Sequence, residues 1–208
     1  KGRATFNGNA DFLAKPHIAF KGDVELDQIT LNYFKPIAER YQLSVRMGSL
    51  STRGSIESAS DGQKILIRNL SLTDVDADYL HQETQTAPTE KVAKQAGKVA
   101  RETANEPTLE VRVERFTANG RIGYINQAAK PTYTVFLTGT KLELDNLSNH
   151  FKNGPAHAHL TGRFLGSGPT RAQATFRPES KGPDLDLTIS IDDTDMPTMN
   201  DLLRAYGN

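Results

Sequence analysis

Three histidines are the first residues whose type and spacing could support metal chemistry. His157-x-His159 falls on a predicted strand, so both imidazoles would share one face, and His150 is near in sequence. A zinc site needs a third and usually a fourth ligand, with hydrogen-bonded groups behind them. Histidines are also common on the polar face of a sheet, and this interpretation is favoured over a metal site.

Aspartates form the second set with possible chemistry. Asp74, Asp76 and Asp78 have the spacing that begins an EF-hand loop. Tyr79, however, occupies the position that requires glycine, and Gln85 the position of the bidentate glutamate, so the EF-hand interpretation fails.

A second group of aspartates lies near the C-terminus. Asp192, Asp193 and Asp195 stand between a predicted strand and a predicted helix. That is where aspartate commonly caps a helix, so we interpret them as cap and turn residues and not as a calcium site.

Motifs of enzymes give no support for catalysis. Gly162-x-x-x-Gly166-x-Gly168 lacks the Lys-Ser/Thr of a phosphate-binding loop and falls in a predicted hairpin. There is no Gly-x-Ser-x-Gly motif, and the chain contains no cysteine for a nucleophile, a thiolate metal site or a disulfide. We therefore predict that the protein is not an enzyme, with no catalytic residue, no metal and no cofactor.

Composition limits the possible partners. The 25 basic and 25 acidic residues balance, which argues against a nucleic-acid partner. Only 37% of residues are hydrophobic, and no apolar run reaches about 18 residues, the length expected of a membrane-spanning helix. The chain begins at Lys1 without Met, so we expect an excised piece whose targeting or anchoring segments lie elsewhere.

Alternation of apolar and polar residues predicts about ten strands. Asp61-Gly62 and Asn119-Gly120 are hairpin signals, the latter typical of a type I′ turn, and short connections favour antiparallel pairing. Helical spacing predicts two short helices, at 33–42, with Asn32 as a possible cap, and at 196–206. Residues 83–107 are polar and rich in Ala, Lys, Glu and Thr, which predicts a linker or insertion, helical or disordered, between segments 1–82 and 108–208.

The last strand and helix repeat an earlier part of the chain. A shift of 165 positions places Val24 on Ile189, Leu26 on Ile191 and Asp27 on Asp192, and it continues through the helix to Tyr41 on Tyr206. The apolar-x-apolar-Asp ending recurs at 142–145, with a looser form at 70–74. Recurrence of one strand-helix unit indicates a repeat architecture.

The predicted strands have one apolar face that two short helices cannot cover. The sheet must therefore fold into a sandwich, close as a barrel or curl into a groove. Small residues such as Ala158 and Ala174 would leave room beside the backbone of a groove, although they would equally match large residues across a sandwich core. We favour a mainly β fold, a long curled antiparallel sheet forming a groove, with two short α-helices.

Alternation selects the residues expected to line this groove, which are Val24, Leu26, Val111, Val113, Val135, Leu137, Leu142, Leu144, Leu160, Phe164, Phe176, Leu185, Leu187, Ile189 and Ile191. A register slip of one residue would invert this choice.

Three stretches of the sequence resemble a known family. The hairpin GSGPTRAQATFRP at 166–178, the strand-Asp-helix unit after it and VELDQITLNYFKPIAERYQLSVRMGSLSTRGSI at 24–56 are similar to the AsmA-like superfamily of Gram-negative envelope proteins. The resemblance covers about 1–80 and 108–208, and the motifs that carry it are structural.

This resemblance implies a function. Members are typically anchored in the inner membrane and project into the periplasm, where repeats form a hydrophobic groove implicated in phospholipid transport and outer-membrane homeostasis. The expected partners are phospholipid or acyl chains, further repeats of the same chain, and a membrane reached through an anchor outside these 208 residues. The alternative is a closed β-sandwich that serves as a scaffold or protein-interaction domain of the envelope without a lipid ligand.

Overall fold

A computed structural model describes residues 2–13, 15, 18–59, 62–82, 106–150, 153–179 and 182–206. Nine strands lie side by side in chain order. Their bounds are β1 Arg3–Asp11, β2 Ala19–Thr30, β3 Leu43–Ala59, β4 Gly62–His81, β5 Leu109–Asn126, β6 Tyr133–Ser148, β7 Ala156–Phe164, β8 Gly168–Glu179 and β9 Gly182–Ile191. Helix α1 is a 3-10 turn, Leu31–Phe34, continued by an α-helix, Lys35–Arg40, and helix α2 is a 3-10 turn, Met196–Met199, continued by Asn200–Tyr206.

The architecture confirms the predicted mainly β fold with two short helices. Among the described strands, β1 and β9 each have a single neighbour, so this sheet has two edges and is not closed into a barrel. The described strands form one layer, not the two facing sheets of a sandwich.

One pairing differs from the expected antiparallel pattern. Strands β4 and β5 run parallel, with Ile65 opposite Val111 and Leu80 opposite Ile125, whereas all other neighbouring pairs are antiparallel. Parallel neighbours require a long crossover rather than a hairpin. The chain that joins them contains 83–105, which lies outside the described residues, as does most of the predicted polar linker. Through this pair both predicted groove segments contribute to one sheet, while their division into separate segments stays a prediction.

Cross-strand register places apolar residues in rows that run from edge to edge. Directly paired residues share a face of the sheet. One row has a member on every strand and is apolar except for Thr52 on β3. From β1 to β9 it is Ala4, Leu26, Thr52, Leu70, Phe116, Leu144, Ala158, Ala174 and Leu187. The adjoining opposite-face row is wholly polar, and it is Thr5, Glu25, Arg53, Asn69, Arg115, Asp145, His157, Thr175 and Asp186. The sheet therefore has one apolar and one polar face over its whole width.

A line of irregular pairings crosses the middle strands. The register shifts between Leu26 and Ile29 on β2, between Leu72 and Val75 on β4 and between Gly120 and Ile122 on β5. Bulges of this kind bend strands and increase their twist, which curls the sheet.

The prediction of a hairpin turn at Asn119-Gly120 is wrong, because β5 runs through both residues as one strand. Gly120 has a φ of 138° at the bulge, opposite Val75, and the Asn119 Oδ1 atom accepts a 2.9 Å hydrogen bond from the Asp74 amide. An Asn-Gly pair readily adopts positive φ, which suits a hairpin turn. In this protein the positive φ of Gly120 occurs in a β-bulge instead of a turn.

The two strand-helix units have matching backbones. A shift of 165 carries the 3-10 turn Leu31–Phe34 onto Met196–Met199, and both turns continue directly into an α-helix. Helix α1 begins two residues before the predicted 33–42, and neither Thr30 nor Asp195, the residues at the two N-cap positions, makes a side-chain capping hydrogen bond. Because β2 and β9 both run toward the same end of the sheet, α1 and α2 lie at that end, which we call the helix end.

Candidate apolar groove

The apolar face of the sheet is covered only thinly. Among the described residues, the buried hydrophobic ones are few, namely Val113, Tyr133, Ala156 and Leu165. The apolar residues of β9 are roughly half exposed, from 47% for Ile191 to 56% for Ile189. A face of this size that remains open to solvent is typical of a binding surface.

A concave cavity of about 390 Å³ lies on this face toward the helix end. Its volume lies in the range of small-ligand sites, about 300–1,000 Å³. The cavity is lined from β5 to β9 by Ile122, Gly123, Tyr124, Val135, Phe136, Leu137, Leu160, Phe164, Thr170, Ala172, Ile189 and Ile191. The lining contains no Asp, Glu, Lys, Arg or His side chain, so the surroundings suit an uncharged hydrocarbon chain.

Six of the predicted lining residues border the cavity, and these are Val135, Leu137, Leu160, Phe164, Ile189 and Ile191. Other predicted lining residues lie on the same apolar face according to the strand register, and these are Leu26, Leu142, Leu144 and Leu187. Phe176 and Leu185 are also on this face, since Phe176 is paired with both Ala156 and Leu185. Val24 and Val113 belong to a further row through Gly54 and Ile67, while Val111 pairs with Ile65. Their role in ligand binding stays a prediction.

Six further cavity residues were absent from the predicted lining, and these are Ile122, Gly123, Tyr124, Phe136, Thr170 and Ala172. Ile122 and Tyr124 had the same alternation signal but follow the supposed turn at Asn119-Gly120. Thr170 is polar yet buried, because its hydroxyl donates to the Gly168 carbonyl at 3.0 Å and accepts from the Phe164 amide at 3.2 Å. Only the register shows that Thr170 faces Ile191.

Aromatic rings continue the apolar lining toward the helix end. Tyr79 and His81 stack on Tyr124 with centroid distances of 5.9 and 6.1 Å, and Tyr133 lies 6.3 Å from Tyr124. Burial is the main reason that the pKa of Tyr124 is raised. Tyrosine offers both an apolar ring and a hydroxyl, which suits the boundary between hydrocarbon and water.

Helix α2 extends from β9 across the end of the sheet to β6. Tyr206, its last described residue, packs edge-on against Tyr133 with a centroid distance of 5.6 Å, and the two hydroxyls are 2.8 Å apart. Val135, two residues after Tyr133 on the same strand, lines the cavity. The helix therefore lies at the cavity's helix end and does not pair with a strand edge.

A charged cluster on the polar face joins β3, β4 and the parallel neighbour β5. Arg46 forms ion pairs with Asp76 and, at 2.5 Å, with Asp78, while Arg121 reaches Asp78 at 2.8 Å and Asp76 at 3.2 Å. Asp78 is only 3% exposed. The hydrogen bond from Arg46 is the largest cause that lowers the pKa of Asp76. Asp76 and Asp78, whose spacing resembles the start of a calcium-binding loop, therefore lie on a strand and form ion pairs with arginines.

The histidines considered as metal ligands lie apart from the groove. His157 and His159 are both exposed. His157 belongs to the polar row, and its Nδ1 atom is 3.4 Å from the Thr175 hydroxyl. The His150 Nε2 atom lies 3.0 Å from the Leu109 carbonyl oxygen. Within the described ranges no three His, Asp or Glu side chains converge as a metal site would require.

Neither helix in the described part of the chain has the length and apolar character needed to cross a bilayer. Comparison with protein-family models and with curated protein sequences finds no match. The groove itself must therefore support any functional proposal.

Proposed function

We propose that this chain is a non-catalytic segment of an AsmA-like envelope protein whose groove carries phospholipid acyl chains. In this proposal it works in the periplasm of a Gram-negative bacterium, in a longer protein anchored in the inner membrane. There it supports lipid movement between the inner and outer membranes or outer-membrane homeostasis. The observation that carries the proposal is the row, apolar except for Thr52, that crosses all nine strands and has no buried member.

Exposing the hydrocarbon of a phospholipid to water is energetically costly. Each exposed methylene costs about 0.8 kcal/mol, so an acyl chain of about sixteen carbons costs on the order of 10 kcal/mol to carry unshielded. The apolar row offers a continuous surface that offsets this cost. The opposite polar face, with cross-strand ion pairs such as Glu25–Arg53 and Arg115–Asp145, keeps the other side of the sheet compatible with water.

A matched pair of variants tests this function. Purified protein would be analysed by native mass spectrometry with lipid extraction, and by uptake of labelled phospholipid from vesicles. Leu187→Asp and Ile189→Asp place charge on the apolar face and are expected to abolish binding. Thr188→Asp places the same charge on the opposite face of β9 and should leave binding intact, since Thr188 pairs with Gln173.

Circular dichroism would check that all three variants keep the fold. If the unmodified protein has a clean ligand-free mass and takes up no phospholipid, the groove proposal fails. The scaffold role would then be preferred, with the free edges of β1 and β9 as its interaction surfaces.

A further inference from the structure

Helix α2 is held to the sheet at its two ends by different kinds of contact. Near its start, the Asp192 amide donates to the Pro169 carbonyl at 3.0 Å, and the Asp195 amide donates to the Ser167 hydroxyl at 3.0 Å. Both acceptors belong to the β7–β8 turn or the start of β8. Backbone continuity with β9 and these two hydrogen bonds make this end a hinge-like attachment.

The far end of α2 depends on one aromatic pair. Tyr206 is 71% exposed, whereas Tyr133 is 7% exposed and its hydroxyl accepts a 3.1 Å hydrogen bond from the Asn126 side-chain amide. Asn126 in turn accepts hydrogen bonds from the amides of Ala128 and Ala129. Tyr133 is therefore a fixed partner, and Tyr206 is the side that can leave.

The body of α2 adds little to this attachment. Its α-helical part has seven residues, and none is fully buried. Met199, Leu202 and Ala205 are half-buried at a spacing of three residues, which turns this face to the sheet. Isolated helices shorter than about 12 residues are marginal in water, so α2 depends on its contacts for order.

Both attachments border the apolar cavity. Ile191, the last residue of β9 before α2, lines the cavity on one side. Tyr124, which contacts Tyr133, lines it on the other. The segment from Asp192 to Tyr206 therefore bridges the two walls of the cavity at its helix end.

We propose that α2 is a displaceable cap on the helix end of the cavity, and that the contact between Tyr206 and Tyr133 is its latch. Opening detaches Tyr206 while the β9 attachment stays in place, and it exposes Tyr124 and Val135. The cap controls access to the groove. The identity of the ligand that enters, a hydrocarbon chain, rests on the proposed function, whereas the cap itself does not.

The internal repeat supplies a matched control. Tyr41, which directly follows α1, corresponds to Tyr206 at the end of α2 under the shift of 165, and it is 51% exposed. Helix α1 is joined to β3 through Gln42, whose carbonyl accepts a 2.8 Å hydrogen bond from the Leu80 amide, so the far end of α1 is fixed by backbone. Loss of the Tyr41 hydroxyl should not affect access to the cavity.

Thiol labelling tests the cap without any lipid, because the chain has no cysteine of its own. Val135→Cys reports on the lining beside the latch, and Ala174→Cys reports on the open lining farther from it. With Tyr206→Phe, labelling at position 135 is expected to become about 3- to 10-fold faster, the factor that corresponds to loss of one hydrogen bond. Labelling at position 174 should not change, and Tyr41→Phe should affect neither position.

Hydrogen exchange of the amides at 200–206 gives a second readout, expected to accelerate in Tyr206→Phe and in Tyr133→Phe. Faster exchange with unchanged labelling at position 135 would overturn the proposal, because α2 would then move without controlling access. Unchanged exchange and unchanged labelling would equally overturn it, because the tyrosine pair would not be the latch.

Lipid uptake separates this proposal from the proposed function. Faster labelling at position 135 without phospholipid uptake by any variant would support the cap and contradict lipid carriage. Uptake at equal rates in the unmodified protein and in Tyr206→Phe would support lipid carriage and overturn control by the cap.

Discussion

Gln28 and Asp193 lie 165 positions apart and adopt the same left-handed backbone conformation, with φ of 49° and 44°. Asn146 and Asp74 have φ of 61° and 52°, and each also follows an apolar-x-apolar-x stretch. The recurring unit is therefore an apolar-x-apolar-x strand segment followed by one residue in the left-handed conformation. After Gln28 and Asp193 the chain continues into a helix, whereas at the other two positions it continues along the strand.

This conformation predicts an unusual response to glycine. A non-glycine residue in the left-handed region costs about 1–2 kcal/mol, which glycine avoids. We expect Gln28→Gly and Asp193→Gly to leave the free energy of unfolding unchanged or to raise it by up to about 1 kcal/mol. Thr188→Gly, in regular strand, should lower it by about 0.5–1 kcal/mol. Urea unfolding measures all three, and a loss at every position would contradict a shared left-handed role.

The charged cluster predicts a large effect from one arginine. Removing Arg121 leaves the buried carboxylate of Asp78 with Arg46 alone, and breaking a buried pair costs about 3–5 kcal/mol. Since Arg46 remains, we expect Arg121→Met to lower the free energy of unfolding by about 3 kcal/mol. The control is Arg115→Met, which removes an exposed pair with Asp145 and should cost less than about 1 kcal/mol. Equal losses in urea unfolding would show that burial of Asp78 does not matter.

The same cluster predicts a dependence on acid. The lowered pKa of Asp76, caused first by the hydrogen bond from Arg46, means that its carboxylate is favoured in the folded state. Its stabilising contribution is therefore present above the unfolded pKa of about 4 and is lost as pH falls through the folded value. The stability difference between the unmodified protein and Asp76→Asn should shrink from neutral pH toward pH of about 3. A difference that is constant with pH would contradict this prediction.

Ionisation of the tyrosines offers a test at alkaline pH. The hydrogen bond with Tyr133 is the first cause that raises the pKa of Tyr206, so Tyr133→Phe should return Tyr206 toward its ordinary value of about 10. Tyr124, raised mainly by burial, should stay high. The neutral form is the one favoured by folding, so the latch persists at neutral pH and weakens as pH rises above about 10. Phenolate absorbance during titration would show one fewer late-titrating tyrosine in Tyr133→Phe.

Volume at one cavity position should control binding independently of charge. Ala172 lines the cavity, and a phenyl ring there would occupy space that a hydrocarbon chain needs. We expect Ala172→Phe to reduce phospholipid uptake at least several-fold, whereas Gln173→Phe, on the opposite face, should leave it unchanged. Equal effects would mean that the cavity is not where ligand lies.

Much of the secondary structure could be predicted from local pattern. Alternation at Leu185 to Ile191 specified a strand with one apolar face, because alternation depends only on neighbouring residues. The apolar side of most strands followed in the same way. Comparison of the chain with itself at a shift of 165 identified α1 and α2 as the same unit. Asn119-Gly120 shows the limit of this reasoning, since a positive φ serves a turn and a bulge equally well.

By itself, the sequence determined that this protein is mainly β, with strands that have one apolar and one polar face and a repeated strand-helix unit. Tertiary structure alone decided that β4 and β5 pair in parallel, that Asp78 lies between Arg46 and Arg121, and that Tyr206 contacts Tyr133 at the helix end of the cavity. The reason is physical. Side-chain alternation is a property of each strand, whereas register, ion pairs and helix docking depend on residues tens of positions apart whose meeting is set by the free energy of the whole sheet.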